Sequence, residues 1–223
     1  MSPVRHWCAA FPSFSTNANF CAETRKSCSV EAHVSCKLKK IISHSFSSGS
    51  KLSRQLQQPH VTLVEYKSAH FLITDEPNTC NMENFVMVCK LHNVRKLVRV
   101  CKPTYDKEPL ESAGIEVVDL EYDDGAPPPD LIIDKWFQLI MDVYQQGLGS
   151  CIAVHCKAGL GRAPALVAAA LIELGLPYDE AVEMIRGQRN GALNARQIQY
   201  LKNFRPRKRL RNIKSQSDRC QIL

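Results

Sequence analysis

The stretch Val154-His-Cys-Lys-Ala-Gly-Leu-Gly-Arg-Ala-Pro164 decides how this chain folds. The run from Cys151 to Val154 is apolar, like a buried strand, and it leads a cysteine into a glycine-containing turn. A helix is expected to open near Pro164, because proline fits a first helical turn. The stretch therefore predicts a strand, a turn and a helix arranged around Cys156.

The turn has the composition of an anion-binding loop. Gly159 and Gly161 allow successive N–H groups to point at one spot, and the helix dipole aims its positive end there. Cys156 is predicted at the bottom of this cup, where the amides, the dipole and Arg162 favour its thiolate. The planar guanidinium of Arg162 suits two oxygens of a phosphoryl group. Phosphate binding is predicted for Lys157, Ala158, Gly159, Leu160, Gly161 and Arg162.

The spacing Cys-x5-Arg, preceded by His155, resembles the signature of the cysteine-dependent protein phosphatases. In that chemistry Cys156 is the nucleophile and Arg162 follows the phosphoryl group through in-line displacement. The alternative is coincidence, because a cysteine six residues before an arginine often occurs by chance. The preceding strand, the histidine, the two glycines and the alanine-rich helix argue together against it. No metal and no organic cofactor are predicted.

Length and composition favour one catalytic domain with extensions. A chain of 223 residues buries one core well. No run approaches the roughly 18 to 20 apolar residues that cross a bilayer, so any membrane contact is expected to be peripheral. The ten cysteines come without a signal-peptide pattern, and a thiolate catalyst needs reducing conditions. These features indicate a cytosolic-facing protein.

The formal net charge of +7 is concentrated at the two ends of the chain. Residues 1–60 carry eight Lys/Arg against two acids and residues 205–223 carry seven against one, whereas residues 61–204 carry fourteen against nineteen. An acidic body with basic extensions suits an anionic membrane surface. It argues against nucleic-acid binding, which favours a basic face on the folded domain.

Residues 1–60 are predicted to be a disordered basic extension, because they are rich in serine and lack hydrophobic periodicity. An organelle transit peptide is the alternative, although no arginine-rich amphipathic helix is evident. The cysteines of this segment contain no C-x2-C pair, which argues against a metal site. They are Cys8, Cys21, Cys28 and Cys36.

The catalytic domain is predicted over residues 61–204, where strand and helix patterns alternate. This alternation predicts an α/β fold with a central, mainly parallel sheet flanked by helices. Strands are predicted at 61–66, 71–74, 96–101, 115–120 and 151–155, and helices at 81–92, 129–146, 163–174, 178–189 and 194–204, the last capped by Asn194. The apolar stripe predicted for the second helix is Leu131, Ile132, Trp136, Leu139, Ile140 and Val143.

Two further strand ends carry chemistry. Cys101 follows one predicted strand as Cys156 follows another, and neighbouring strand ends lie about 5 Å apart, within reach of a disulfide. A buried structural thiol is the alternative for Cys101. After the 115–120 strand, the acidic, turn-rich residues 121–129, here called the acid loop, offer a general acid to the leaving group. A solvated loop carboxylate is the alternative there.

Together these pieces resemble the phosphatases of regenerating liver, a family of small prenylated, dual-specificity-like phosphatases. The resemblance covers residues from about 61 to 223 and implies a compact cysteine-phosphatase fold. It also implies that Asp124 is the general acid and that Cys101 is the redox partner of Cys156. The shared pieces are Val100-Cys-x-x-Thr-Tyr-Asp106, Asp123-Asp-Gly-Ala-Pro-Pro128, Val154-His-Cys-x-Ala-Gly-Leu-Gly-Arg-Ala-Pro164, Glu180-Ala-Val182, Ile185-Arg186, Gly191-Ala192, Tyr200-Leu201, Arg205-Pro206 and a final Cys-aliphatic motif.

This chain departs from the family's pattern at two places. The family has Trp-Pro-Phe before the two aspartates, but this chain has Leu120-Glu121-Tyr122, so the residues that anchor and stiffen the acid loop are missing. Lys157 follows the nucleophile, and His-Cys-Lys-Ala-Gly is similar to the loop of tensin-like phosphoinositide phosphatases. A lysine in the cup favours highly charged substrates such as inositol lipids; the alternative is that Lys157 points to solvent.

The chain ends in Cys220-Gln-Ile-Leu223, a CaaX pattern whose final leucine favours geranylgeranylation of Cys220. Residues 205–223 are predicted to be a polybasic tail, which supplies the second signal that a single lipid needs for stable anchoring. The polybasic run is Arg205, Arg207, Lys208, Arg209, Arg211 and Lys214. We therefore expect residence on the cytosolic face of plasma or endosomal membranes; the alternative is a plain disordered tail.

Two classes of function remain open on the sequence. One is a phosphatase acting on phosphotyrosine proteins or phosphoinositides at a membrane. The other is a weakly active module whose phosphate cup docks a partner, and the resemblance implies a membrane magnesium transporter of the CBS-pair type as that partner. The sequence leaves a homo-oligomer open as well.

Overall fold

Strands and helices alternate along the chain, as the sequence predicts. The computed structural model describes residues 59–146 and 149–210. The strands in this part of the chain are β1 (Thr62–Tyr66), β2 (Ala69–Thr74), β3 (Val94–Arg99), β4 (Glu116–Asp119) and β5 (Cys151–His155). The helices are α1 (Met82–Leu91), α2 (Glu108–Glu111), α3 (Asp130–Gln146), α4 (Arg162–Glu173), α5 (Tyr178–Gln188) and α6 (Ala195–Asn203). Two strands are shifted by two residues from prediction, because β2 begins at Ala69 rather than Phe71 and β3 spans Val94–Arg99 rather than 96–101. The short helix α2 was not predicted.

Within the described residues these strands form one sheet in the order β1-β2-β5-β3-β4. β1 runs antiparallel to β2, and the other neighbours are parallel, which confirms the mainly parallel sheet. His155 at the end of β5 lies opposite Thr74 on one side and Arg99 on the other. The carboxyl ends of three strands therefore meet at one edge, where ligand sites of such sheets form. Cys156 follows at that edge.

Helices cover both faces of the sheet, so every residue of the central strand β5 is buried. Ile152 and Val154 pack into a large core with α3, α4, α5 and α6. Ala153 faces the other way, into a smaller core with Phe85 of α1 and Leu110 of α2. Continuous burial of this kind is expected for a central parallel strand.

Helix α4 carries the second half of the organising stretch and is buried along its whole length. Its alanines let neighbouring helices approach closely, and the indole Nε1 of Trp136 donates to the carbonyl of Leu166, 2.9 Å away. The helix begins at Arg162, two residues before Pro164. Arg162 is therefore held at the N-terminus of the most buried helix in the described part of the chain.

One predicted core position is wrong. Leu131, assigned to the inward stripe of α3, is 65% exposed. The buried residues recur at helical spacing as Ile133, Trp136, Phe137 and Ile140. Leu131 lies on the opposite face of α3 from these residues, so the buried stripe begins two residues later, at Ile133.

The packed residues continue beyond Phe204. Both carboxylate oxygens of the buried Glu173 accept backbone N–H groups, from Arg207 at 3.0 Å and from Arg209 at 2.5 Å. The Arg209 side chain pairs with Asp134, and Leu210 is fully buried. The first residues of the polybasic run thus pack against α3 and α4. Residues 1–58 and 211–223, including Cys220, lie outside the described residues.

Candidate active site

Residues 156–162, here called the phosphate loop, connect β5 to α4 and start at a buried cysteine. Cys156 is 3% exposed. Arg162 ends the loop at the first position of α4, with 7% of its surface exposed. The structure thus brings the predicted nucleophile and the predicted phosphate clamp to the same strand edge.

Four carbonyl groups of this stretch accept hydrogen bonds from residues outside it, at distances of 2.8 to 3.2 Å. The pairs, donor first, are Glu76 N with Lys157 O, Arg189 Nη2 with Ala158 O, Leu193 N with Leu160 O, and Tyr122 Oη with Arg162 O. In a trans peptide each C=O points opposite to the N–H of the next residue. Because these carbonyls turn outward, the amides of the following residues turn toward the inside of the loop. This is the geometry of an anion cup.

Gly159 permits this turn for two reasons. Its φ of +66° lies in the left-handed region, which side chains disfavour. A Cβ at this position would lie 2.5 Å from the Thr74 carbonyl oxygen and would also overlap the Arg189 guanidinium. Gly161 has an ordinary negative φ, and a Cβ there would lie 3.4 Å from the amide nitrogen of Gln197. That distance is an ordinary contact with the end of a flexible side chain, so neither φ nor packing requires glycine at 161 as strictly as at 159.

Arg189 supports the phosphate loop from behind, a role that the sequence analysis missed. Its side chain is 1% exposed and donates to Ala158 O, to His60 O and to the Thr62 hydroxyl at 3.1 to 3.2 Å. Burial lowers the pKa of this arginine. Arg189 lies just past the end of α5 and continues the four-residue spacing of the buried Ala181 and Ile185. That spacing is the signal in the sequence that this arginine is buried.

His155 precedes the cysteine and is fully buried as a neutral imidazole. Its Nδ1 lies 3.3 Å from the Cys156 carbonyl oxygen, and its Nε2 lies 2.6 Å from the Tyr105 hydroxyl. Those partners assign the proton to Nδ1, so that Nε2 accepts from Tyr105. Burial lowers the pKa of His155 to about 4. Arg99, paired with Asp119, donates to the Tyr105 carbonyl at 2.9 Å and so fixes the tyrosine.

Asp124, the predicted general acid, reaches the phosphate loop. Its Oδ1 lies 3.0 Å from Nε of Arg162, without the alignment of a hydrogen bond. The aspartate side chain is 80% exposed. Nη1 of Arg162 donates to the carbonyls of Val100 and Tyr122, each at 3.2 Å. These contacts orient the guanidinium between the acid loop and the end of β3.

The acid loop is anchored without the tryptophan and proline of the family pattern. Tyr122 is buried, and its hydroxyl donates to the Arg162 carbonyl at 2.8 Å. The side chain of Asn194 donates to Gly125 O at 3.0 Å, and that of Gln197 donates to Ala126 O at 3.2 Å. Both residues also form the capping box of α6, which confirms the predicted cap at Asn194. The start of α6 therefore ties the acid loop to the domain.

Lys157 lies at the rim of the cup and pairs with a carboxylate. Its Nζ is 3.0 Å from Oε2 of Glu76, and 73% of its side chain is exposed. Of the two predicted orientations, the structure favours the one toward solvent. Nothing in the local sequence marks Glu76 as a partner of Lys157.

Cys101 is a buried free thiol two residues beyond the end of β3, as Cys156 is a buried free thiol just after β5. Its Sγ lies 3.7 Å from Oε1 of Glu76 and 4.0 Å from Nδ1 of His155. Burial, with the nearby Glu76 carboxylate, raises the pKa of Cys101 to about 11. Cys101, Asp124, Lys157 and Arg162 all line one cavity of about 270 Å³.

Comparison with known proteins supports the class that this geometry suggests. A family model described as "Tc-R-P: Polymorphic toxin system, DSP-PTPase phosphatase" matches residues 75–176. The solved structure of a protein tyrosine phosphatase from Leishmania major is 38% identical, with a TM-score of 0.59. That match covers 65% of this chain and 98% of the other. The chain is thus a protein tyrosine phosphatase of the dual-specificity type, which confirms the predicted fold and enzyme class.

Two curated relatives define the family further. The "PRL-1 phosphatase" of Drosophila melanogaster is 48% identical over 165 residues, which cover 74% of this chain and 94% of the relative. The human "Protein tyrosine phosphatase type IVA 3" is 47% identical over 157 residues, which cover 70% of this chain and 91% of the relative. The chain belongs to the phosphatase of regenerating liver family, as the sequence predicted.

Proposed function

We propose that this phosphatase hydrolyses phosphotyrosine in proteins through a phosphocysteine intermediate on Cys156, at a membrane surface. The observation that carries the proposal is the set of outward-bonded carbonyls, which directs amides into a cup that begins at Cys156 and ends at Arg162. Such a preorganised cup stabilises the negative charge of a phosphoryl group in the transition state of its transfer. The names of the relatives support a phosphotyrosine substrate.

In the first step the Cys156 thiolate attacks phosphorus while the bond to the tyrosine oxygen breaks. Asp124 gives its proton to that oxygen, and Arg162 with the inward-turned amides of the phosphate loop holds the equatorial oxygens. In the second step water attacks the phosphorus of the phosphocysteine and Asp124 takes a proton from the water. The S–P bond breaks, which regenerates the Cys156 thiolate and releases inorganic phosphate. Cys156, Arg162 and Asp124 thus each have a defined role in the two steps.

A single-turnover assay tests the proposal on a panel of phosphotyrosine peptides and phosphoinositides. We expect release of phosphate from the peptides and none from the Cys156→Ser variant, since serine is a far weaker nucleophile here. Faster turnover of inositol lipids would assign the lipid as the substrate class. Full activity of Cys156→Ser would overturn the proposed nucleophile.

The binding-module alternative is favoured by one position. Ala163 follows the arginine where most such signatures place a serine or threonine, whose hydroxyl assists the departing thiolate. Without that hydroxyl we expect the phosphoenzyme to break down slowly. Slow turnover suits a protein whose phosphate cup docks a membrane magnesium transporter. The test compares a cellular effect of the protein in two variants. If the effect persists in Asp124→Asn, which has lost turnover, but is abolished in Cys156→Ser, docking rather than catalysis carries the function.

The proposed membrane attachment combines prenylation of Cys220 with the polybasic tail. Arg205, Arg207 and Lys208 are exposed, whereas Arg209 pairs with Asp134 and contributes less to a membrane. We expect Cys220→Ser to release the protein from plasma and endosomal membranes into the cytosol. An unprocessed Leu223 terminus on membrane-bound protein, measured by intact mass, would refute the anchor.

The proposed redox control joins Cys101 to Cys156 under mild peroxide. A thiolate oxidised to sulfenic acid condenses with a neighbouring thiol, releasing water and forming a disulfide. We expect inactivation that a thiol reductant reverses, and peptide mapping should find the bridge. Full reversibility in Cys101→Ser would rule out Cys101 as the partner.

A further inference from the structure

Glu76 lies just beyond β2 and contacts both the phosphate loop and the segment that follows β3. Its backbone N–H donates to the Lys157 carbonyl at 3.1 Å. Its carboxylate accepts from the Thr104 hydroxyl at 2.6 Å and lies 3.0 Å from Nζ of Lys157. One residue therefore fixes the backbone and the side chain of Lys157 together.

The two partners differ in exposure. The Glu76 side chain is 11% exposed and is fixed by Thr104, whereas the Lys157 side chain is 73% exposed. Burial alone would raise the pKa of Glu76, but the bonds from Thr104 and Lys157 lower it below its ordinary value. Glu76 is therefore a fixed negative charge at neutral pH, and Lys157 is the partner that can move.

The rest of the cavity entrance is acidic as well. Four carboxylates line it against three cations, one of which is Arg162. The carboxylates are those of Glu76, Glu121, Asp123 and Asp124, and the other cations are Lys102 and Lys157. With Lys157 neutralised by Glu76, a second phosphate near this rim meets more negative than positive charge.

We infer that Glu76 determines substrate preference by holding Lys157 at the rim, so that the site favours singly phosphorylated substrates over inositol lipids that carry several phosphates. The inference rests on the proposed phosphatase function of the same site and selects the phosphotyrosine protein as the substrate class. A multiply phosphorylated ligand must displace the Glu76 carboxylate from Lys157 before it gains that cation, whereas a single phosphate needs only the cup and Arg162.

The test compares kcat/KM for a water-soluble bisphosphorylated inositol lipid with kcat/KM for a phosphotyrosine peptide. Glu76→Gln keeps an oxygen for Thr104 but removes the charge, which frees Lys157. We expect the lipid-to-peptide ratio to rise about fivefold, the scale of one exposed charge pair. Adding Lys157→Met to this variant should cancel the rise.

A matched control is available on the surface. Glu116 pairs with Lys96 at 2.9 Å on the two adjacent strands β3 and β4, so Glu116→Gln removes an equivalent pair elsewhere. This control should leave the ratio unchanged. The rise in Glu76→Gln should also shrink as salt increases, because exposed charges are screened.

Lys157→Met alone tests the same idea at an exposed position, whether or not Glu76→Gln folds. This substitution leaves the Glu76 carboxylate unpaired at the rim, so the ratio should fall, and an unchanged ratio would overturn the inference. An unchanged ratio in a folded, peptide-active Glu76→Gln would overturn it as well. Absence of turnover on both substrates in the wild type would instead refute the proposed function.

Discussion

The phosphate loop and the acid loop meet at Arg162 but are held in different ways. The phosphate loop has buried supports, with Arg189 1% exposed behind it and His155 fully buried at its start. The acid loop carries an aspartate that is 80% exposed, and side chains at the start of α6 hold its backbone. The site thus combines a preformed phosphate cup with a more solvent-exposed acid. Changes behind the cup should therefore cost more than changes to the support of the acid loop.

The largest effect is expected from Arg189→Met. The substitution leaves the carbonyls of Ala158 and His60 without their buried donor, so the outward turn of the phosphate loop is lost. We expect kcat/KM to fall roughly a thousandfold, with binding of a phosphate analogue such as vanadate weakened in parallel. Arg196→Met, which changes an exposed arginine of α6, is the control. Vanadate affinity that is unchanged in folded Arg189→Met would contradict the role of Arg189.

The second effect concerns stability in acid. His155 has a pKa of about 4 in the folded protein, below its ordinary value of 6.5, so the unfolded chain binds more protons between these values. The free energy of unfolding therefore decreases as the pH falls through this window. For His155 alone the decrease is about 2 kcal/mol between about pH 7 and pH 5.

Urea unfolding of the wild type and of His155→Gln at both pH values isolates this contribution. The partly buried His92 also has a pKa lowered by desolvation and adds to the loss in both proteins. The wild type should lose more stability than the variant. Equal losses would show that His155 titrates normally.

The smallest effect is expected at the acid loop. The double variant Asn194→Asp and Gln197→Glu keeps the oxygens that cap α6 but removes the two amide donors to Gly125 and Ala126. We expect kcat/KM, which reports formation of the phosphocysteine, to fall about tenfold for phenyl phosphate, whose leaving group needs a proton, and to change little for p-nitrophenyl phosphate. Asp124→Asn should show the same dependence on leaving group with a larger loss. An equal fall on both substrates would indicate general damage instead.

Local sequence pattern predicted much of this site and missed its supports. Cys156, Gly159 and Arg162 lie within one strand, turn and helix, so their spacing alone places them together. Arg189 bonds a carbonyl 31 residues away and Gln197 bonds one 71 residues away, distances over which no periodic pattern carries information. Asn194 shows the limit clearly: its capping role follows from its neighbours, but its bond to Gly125 depends on how α6 packs.

The same limit explains one wrong prediction and one anchor that the sequence does not reveal. Leu131 is apolar and lies near the start of α3, but the direction of that helix's buried face is set by packing against α4. The sequence lacks the Trp-Pro pair of the family pattern, and nothing in it indicates that Tyr122 bonds to Arg162 across 40 residues.

Rapid mixing of the enzyme with an aryl phosphate, followed by acid quenching and mass analysis of the peptide that contains Cys156, shows directly whether a phosphocysteine forms. We expect a burst of phenol, about one per active site, and one phosphoryl group on Cys156, because Ala163 offers no hydroxyl to the departing thiolate. Ala163→Ser should shorten the life of that adduct. A linear time course, with no phosphoryl group on Cys156 at any time, would contradict the phosphocysteine mechanism.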